Sequence, residues 1–260
     1  MIGLETAVPR RKRVASRLRR WITNLSITAL GAVLARVMAL ATVPLAATLA
    51  AAWAASHNIG FLNAVEWPLW LETAISLAFL DFAIWFQHLL SHRVAVLWRI
   101  HRVHHADRDF DATTALRFHP IEIGLSILYK VALALALGPT VFAVVLFEVA
   151  LNGFALFNHA NFAIPTGLDR WIRRLVVTPD FHRVHHSVHR DEHDSNYGFS
   201  LAIWDRLFRT YRAQPREGHD EMTIGLGRHQ SAEPTQLGWT LLFPFLRAPP
   251  AERSSPKERD

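Results

Sequence analysis

Residues 88–105 read HLLSHRVAVLWRIHRVHH, with histidines at 88, 92, 101, 104 and 105. On a helix, residues three and four apart share a face, so His88 and His92 point one way and His101, His104 and His105 form a second one-faced set. A single histidine at the end of an apolar segment is ordinarily a capping or interface residue. Five at helical spacing are harder to explain in that way. Each buried neutral ring needs a partner for its nitrogens, and a shared cation satisfies all of them together. The stretch therefore reads as helical and as metal-ligating.

Upstream, residues 69–87 form an apolar span whose lower end delivers His88 and His92. The segment EWPLW at 66–70 marks its entry, with Pro68 suited to a first helical turn and two tryptophans suited to a membrane interface. Asp81 lies two helical turns before His88, on the same face. A carboxylate inside a span is costly unless paired, and two readings stay open: an acceptor orienting a ligand imidazole, or a hydrogen bond between helices. Further back, residues 25–53 are almost wholly apolar, with Arg36 the one charge and Pro44 in their middle. This exceeds the roughly 20 residues that cross a bilayer. A first span is expected at 37–53, preceded by a helical or interfacial turn from which Arg36 snorkels to the headgroups.

Downstream, residues 106–120 carry Asp107, Arg108, Asp109, Asp111, Arg117 and His119, too polar for lipid. Apolar residues resume at 123–137, break at Gly138 and Pro139, and continue at 141–157, which predicts two helices joined at the breaker. Lys130 falls in the middle of the first. Either it snorkels, or the pair is a hairpin whose first leg is not full length. Glu148 and Asn152 share a face with His159. Residues 160–174 turn polar again, with an amphipathic patch around Trp171 suited to the bilayer surface. A second dense box follows, TPDFHRVHH at 178–186. Thr178 is placed to cap a helix with Pro179 at its first position, so that His182, His185 and His186 fall in the first two turns. Their spacing repeats that of His101, His104 and His105, and both boxes read HRVHH. His189 continues the ligand face, although a solvated helix position suits it better. From residue 213 the chain is a polar tail. It carries an apolar patch at 237–246 that docks on the membrane surface or the domain, and its last ten residues read as disordered.

The fold class expected is all-α: an integral membrane bundle of about four transmembrane helices with a cytoplasmic, histidine-rich helical cap. Residues 1–24 read as a basic cytoplasmic segment, 25–211 as the membrane-embedded domain and 212–260 as the tail. The composition agrees, with 51% hydrophobic residues. There is no cysteine among the 260 residues, which excludes disulfides, thiolate zinc sites and iron–sulfur clusters. The net charge of +6 is concentrated at Arg10, Arg11, Lys12, Arg13, Arg17, Arg19 and Arg20, directly before the first apolar run. That placement suits a cytoplasmic membrane flank, and no nucleic-acid partner is expected. No cleaved signal is expected either, since the apolar run exceeds a signal core. With the N-terminus cytoplasmic, one span leaves and the next returns. The hairpin then goes in and comes back, so all nine histidines, 88, 92, 101, 104, 105, 159, 182, 185 and 186, meet at one membrane face. Nine imidazoles exceed the set that one tetrahedral zinc takes and point to two metals. Two other classes also fit a histidine cluster. A metal transporter or storage protein would want ligands strung across the bilayer, and a zinc-dependent membrane hydrolase could use these same ligands.

The boxes HxxxH at 88–92 and HxxHH at 101–105 and 182–186 resemble those of the fatty acid hydroxylase and sterol desaturase superfamily of integral membrane di-iron oxygenases, in its bacterial sterol desaturase family branch. The resemblance covers residues 81–211 and takes in RFHP at 117–120, NHAN at 158–161 and NYG at 196–198. It implies that His88, His92, His101, His104, His105, His159, His182, His185 and His186 hold two irons, with zinc as an alternative occupant. Some members have a tenth ligand one turn before the histidine of the fourth helix. That position is Ala155 here, and a water, Asn152 or His119 would have to fill the place. The activity implied is O2-dependent hydroxylation or desaturation of a lipid C–H bond, on a sterol, fatty acyl, sphingolipid, alkylglycerol or carotenoid. Electrons would come from a separate ferredoxin or cytochrome type donor, and the site would face the cytoplasm, at the inner membrane of a bacterium.

Overall fold

In the computed structural model, residues 1–41 and 46–246 are described; Pro44 and the last ten residues, whose disorder was expected, lie outside them. Among the described residues the chain is helical, with three isolated bridges and no strand. The principal helices are α1 (Arg17–Ala41), α2 (Ala47–Ser56), α3 (Leu69–Arg93), α4 (Ala95–His105), α5 (Pro120–Leu137), α6 (Val141–Asn158), α7 (Thr166–Ile172), α8 (Pro179–His185) and α9 (Leu237–Leu242). Four of these are long and apolar enough to cross a membrane: α1, as Arg17–Leu40, with α3, α5 and α6. Their outer faces carry exposed apolar side chains such as Leu40, Trp70, Phe142 and Val149, as lipid contact requires.

The first span differs from expectation. It runs over Arg17–Leu40, and Ala47–Ser56 is a separate ten-residue helix, about 15 Å long and too short to cross. The physical reason is at its start. Hydropathy alone cuts off the polar turns 17–24, but the cap keeps them helical. Arg20 is fully buried there, donating to Asp107 Oδ1 and Oδ2 at 2.6 and 2.7 Å and to Asp111 Oδ2 at 2.6 Å. Arg20 is thus a cap residue and not a membrane flank.

Helix α1 packs closely on α5, because Gly31 lies under Ile123 and Gly124 under Leu34 and Met38. The α5–α6 hairpin packs on α2 through Ala50, Ala51, Val131, Ala134 and Val144, and α6 packs on α3 through Leu80, Ile84 and Phe147. Gly138 closes the hairpin at φ +68, a conformation that glycine adopts without strain. Both legs have 18 residues, about 27 Å each against a hydrocarbon core of about 30 Å. Lys130 neither snorkels nor shortens a leg: its Nζ lies 2.7 Å from Glu148 Oε1 on the facing helix.

The tail patch docks on the domain. Arg102 donates to the carbonyls of Phe243 and Leu246 at 2.8 and 2.9 Å, and its guanidinium lies 4.2 Å from the Phe243 ring centre. Buried Arg117 joins the Val103 carbonyl, Asn24 and the Pro234 carbonyl, each at 2.8 Å. These bonds fix α4, with its histidine box, against α1 and the tail.

Candidate metal centre

Helix α3 carries His88 and His92 in its last two turns, and α4 ends in His101, His104 and His105. His159 is the C-terminal cap of α6. In α8, Thr178 Oγ1 accepts from the Phe181 amide and Pro179 occupies the first position, as the sequence predicts. This short helix delivers His182 and His185, with His186 at its cap. All nine rings are buried.

They meet in two adjacent sets. His88, His92, His101, His105 and His185 present ligand nitrogens within 4.8 Å of one another, and His104, His159, His182 and His186 do the same. The sets abut, with His105 and His186 ring centres 4.7 Å apart and stacked. His189 is outside both and pairs with Glu217 at 3.0 Å.

The proton positions follow from the outer partners. His88 Nδ1 donates to the Tyr197 carbonyl and His185 Nδ1 to the Ser195 carbonyl, both at 2.7 Å. His159 Nδ1 donates to the Ala155 carbonyl at 2.8 Å, and His101 Nδ1 to Glu122 Oε1 at 2.6 Å. Each of these rings then carries its hydrogen on Nδ1 and a lone pair on Nε2. Yet the Nε2 atoms of His88 and His101 are 3.1 Å apart, and those of His185 and His88 are 3.0 Å apart. Lone pairs at that separation repel unless a cation lies among them. In the second set, His159 Nε2 faces His104 Nε2 at 3.2 Å, while both ring nitrogens of His182 and His186 are buried without a hydrogen-bond partner. His105 Nε2 is equally orphaned. A buried polar atom without a partner costs about 1–3 kcal/mol, so the donor set fits metal ions. Burial first, and then neighbouring histidines, push the imidazoles of His104, His105, His182, His185 and His186 well below the ordinary histidine value. Burial brings His159 down to about 4. These six rings are therefore neutral at pH 7, the form that binds metal.

Three candidates for a supporting role fall elsewhere. His119 caps α5, its Nδ1 accepting from the Ile121 amide at 3.2 Å and its Nε2 reaching the Leu241 carbonyl, so it is not brought to either set. Asn152 donates back to the Glu148 carbonyl. Of the two readings of Asp81, the structure gives the packing one, since it accepts the Trp204 indole N–H at 2.8 Å. The carboxylates that do touch ligand rings are Glu122 and Asp194, the latter 3.4 Å from His92 Nδ1. No sequence spacing ties either to the histidine boxes, and only the fold brings them in; Asp194 also lies within 4.8 Å of ligand atoms of His92 and His193.

A cavity of about 250 Å³ opens against the first set, reached by His88 and His101 and walled by Ile84, Leu116, Phe118, Ile123, Leu151 and Phe199. Gln87, Ser126, Asn152, Ala155 and Glu122 also line it. Ala155, where a tenth ligand would stand, thus forms cavity wall.

Residues 73–210 match the family model described as fatty acid hydroxylase. Alkylglycerol monooxygenase from Homo sapiens is 36% identical over 165 residues, 63% of this chain and 35% of that protein. Ornithine lipid hydroxylase OlsE from Rhizobium tropici is 33% identical over 164 residues, 61% of this chain and 47% of that protein. The Xenopus tropicalis alkylglycerol monooxygenase is 34% identical over 146 residues, 56% of this chain and 30% of that protein. The chain therefore spans between about a third and a half of the length of these curated relatives. No solved structure matches. The family match takes in all nine clustered histidines and more than half of the chain, and the chain belongs to the fatty acid hydroxylase family.

Proposed function

We propose that this protein is a membrane-bound di-iron oxygenase that hydroxylates, or less favourably desaturates, a C–H bond of a lipid, using O2 and electrons from a separate ferredoxin or cytochrome type donor. The observation that carries the reading is the convergence of Nε2 lone pairs in two abutting histidine sets beside an apolar cavity. His88, His92, His101, His105 and His185 would hold one iron, and His104, His159, His182 and His186 the other. When bound, the irons would supply the O2-derived oxidising power that an unactivated C–H bond needs and that side chains lack.

The chain's own residues bind, orient and exclude water. Glu122 and the carbonyls of Tyr197, Ser195 and Ala155 hold ligand rings in one tautomer. Phe118 stacks on His104 with ring centres 4.6 Å apart, and Phe199 lies 4.9 Å from His88, so apolar rings flank the place where the cavity reaches the histidines. At roughly 30 Å³ per water-sized group, the cavity takes roughly eight methylene-sized groups, which suits part of one alkyl chain. The names of two relatives, alkylglycerol monooxygenase and ornithine lipid hydroxylase, agree with such a substrate. The basic segment lies at the same end as the histidines, the Arg10 amide donating to the Asn161 carbonyl. A cytoplasmic metal face follows from the positive-inside rule, at the inner membrane if the source is bacterial.

The test is detergent-purified protein analysed for metal and turned over with reductant, lipid and isotopically labelled O2. Two irons per chain and label in the lipid are expected. Redox-silent zinc with hydrolytic turnover would overturn the reading.

A further inference from the structure

Among the described residues, phenylalanine meets both histidine sets, whereas Trp and Tyr meet only one of them. The four-histidine set meets phenylalanine: Phe118 on His104, Phe110 on His159 and His186 at 5.4 and 5.0 Å, and Phe199 on His182 at 5.9 Å. The cavity wall likewise holds Phe118 and Phe199 and neither Trp nor Tyr. The five-histidine set meets phenylalanine on its cavity side, Phe199 on His88 at 4.9 Å and Phe118 on His101 at 6.2 Å, and away from the cavity it meets Trp and Tyr. Trp98 lies 4.9 Å from His92, 5.4 Å from His105 and 6.3 Å from His101. Tyr197 lies 5.2 to 5.7 Å from His92, His185 and His88. Phenylalanine is not oxidised by one electron at potentials a metal centre reaches, whereas Trp and Tyr are, and the chain has no cysteine to compete. Tyr197 is fully buried. Trp98 is partly exposed and stacks on buried His193, with ring centres 5.3 Å apart and planes at 16°.

We propose that Trp98 is a hole-transfer relay, which discharges the centre to solvent when O2 has been activated without a lipid in the cavity. This rests on the di-iron oxygenase reading. One electron leaves the Trp98 indole for the oxidised centre, which is reduced by one. The indole N–H proton is released to water, which reaches the partly exposed residue. An external one-electron reductant, such as ascorbate or a thiol, then returns an electron, and a proton is taken back from water. The phenylalanines of the cavity wall keep the same oxidising equivalent from being quenched on the substrate side, so confining Trp and Tyr to the side away from the cavity separates productive from protective discharge.

The experiment uses iron-loaded full-length protein, reduced with dithionite and exposed to O2 without lipid. O2 uptake, freeze-quench electron paramagnetic resonance and peptide mass spectrometry are read on the same samples. The expected result is O2 uptake, a tryptophan radical and oxygen insertion concentrated at Trp98. In Trp98→Phe, which keeps a ring against His92 and His105, the radical is lost, marks shift to Tyr197 and the ligand histidines, and iron is lost several-fold faster per O2 consumed. O2 uptake with no preference for Trp98 in the unaltered protein, or an unchanged rate of iron loss in the variant, overturns the relay alone. Absence of O2 uptake without lipid overturns the relay alone, and absence of uptake when lipid is added to the same samples overturns the oxygenase reading as well.

Discussion

Replacing Glu122 should loosen one metal of the pair and not the other. Its Oε1 accepts from His101 Nδ1 at 2.6 Å, a charge-assisted bond that fixes the ring and makes its Nε2 a stronger donor. Removing a partner of this kind ordinarily costs 10- to 100-fold in metal affinity, about 1.4–2.7 kcal/mol. Glu122→Ala should show the full loss. Glu122→Gln keeps an acceptor oxygen but no charge, and should show the smaller part. The effect belongs to the five-histidine set, since His104, His159, His182 and His186 make no contact with Glu122 among the bonds described. The assay is a chelator titration of loaded protein, with retained metal counted by mass spectrometry. The unaltered protein should release its metals at two chelator concentrations, and Glu122→Ala should shift one step while leaving the other. Release unchanged in both variants, or both steps shifted equally, would refute the division into sets and the role of the carboxylate.

Other outcomes follow from the same geometry. His185→Ala and His104→Ala, 81 positions apart in the chain, should each lower metal content and activity comparably; a large effect confined to the 88–105 histidines would contradict a shared centre. Ala155→Phe should narrow the cavity and cut lipid oxidation with metal content retained, read as turnover against iron per chain. Lys130→Met leaves Glu148 without its partner in the hairpin and should cost about 1–3 kcal/mol, seen as a lower thermal midpoint that Lys130→Met with Glu148→Leu restores. The metal-free protein should lose stability as pH falls from the ordinary histidine range toward 4. Burial brings His159 down to about 4, so in that window the unfolded chain binds a proton that the fold does not. The single ring is worth on the order of 3 kcal/mol, and a chelator-treated sample with a flat melting profile over that range would speak against a buried neutral cluster.

The histidine boxes were legible because helical periodicity is local: the spacing of His101, His104 and His105 states which face they share before any packing is known. The cap at Thr178 and Pro179 was legible for the same reason. What escaped is non-local. The start of the first span depends on Arg20 meeting Asp107 and Asp111, some 90 positions away. Burial raises the Asp107 carboxyl, but Arg20 beside it more than offsets this and holds it well below the usual carboxylate range. Hydropathy reads an arginine as a boundary and has no means of knowing that its partner will arrive from another segment. Glu122 and Asp194 escaped similarly, since nothing in their spacing ties them to His101 or His92. Lys130 reads as a lone charge in the sequence because Glu148 faces it only once the hairpin has closed.

Three of the four rings with assigned Nδ1 protons are held by main-chain carbonyls, those of Tyr197, Ser195 and Ala155. No side-chain substitution deletes a carbonyl. The side chains at these three positions can therefore change and leave the ligand tautomers as they are, so long as the path of the backbone is kept. The same fact sets a limit for redesign: a shifted loop or an added residue between His186 and Ser195 would disturb the chemistry more than a change of side chain there. The centre is thus more sensitive to insertions than to point changes.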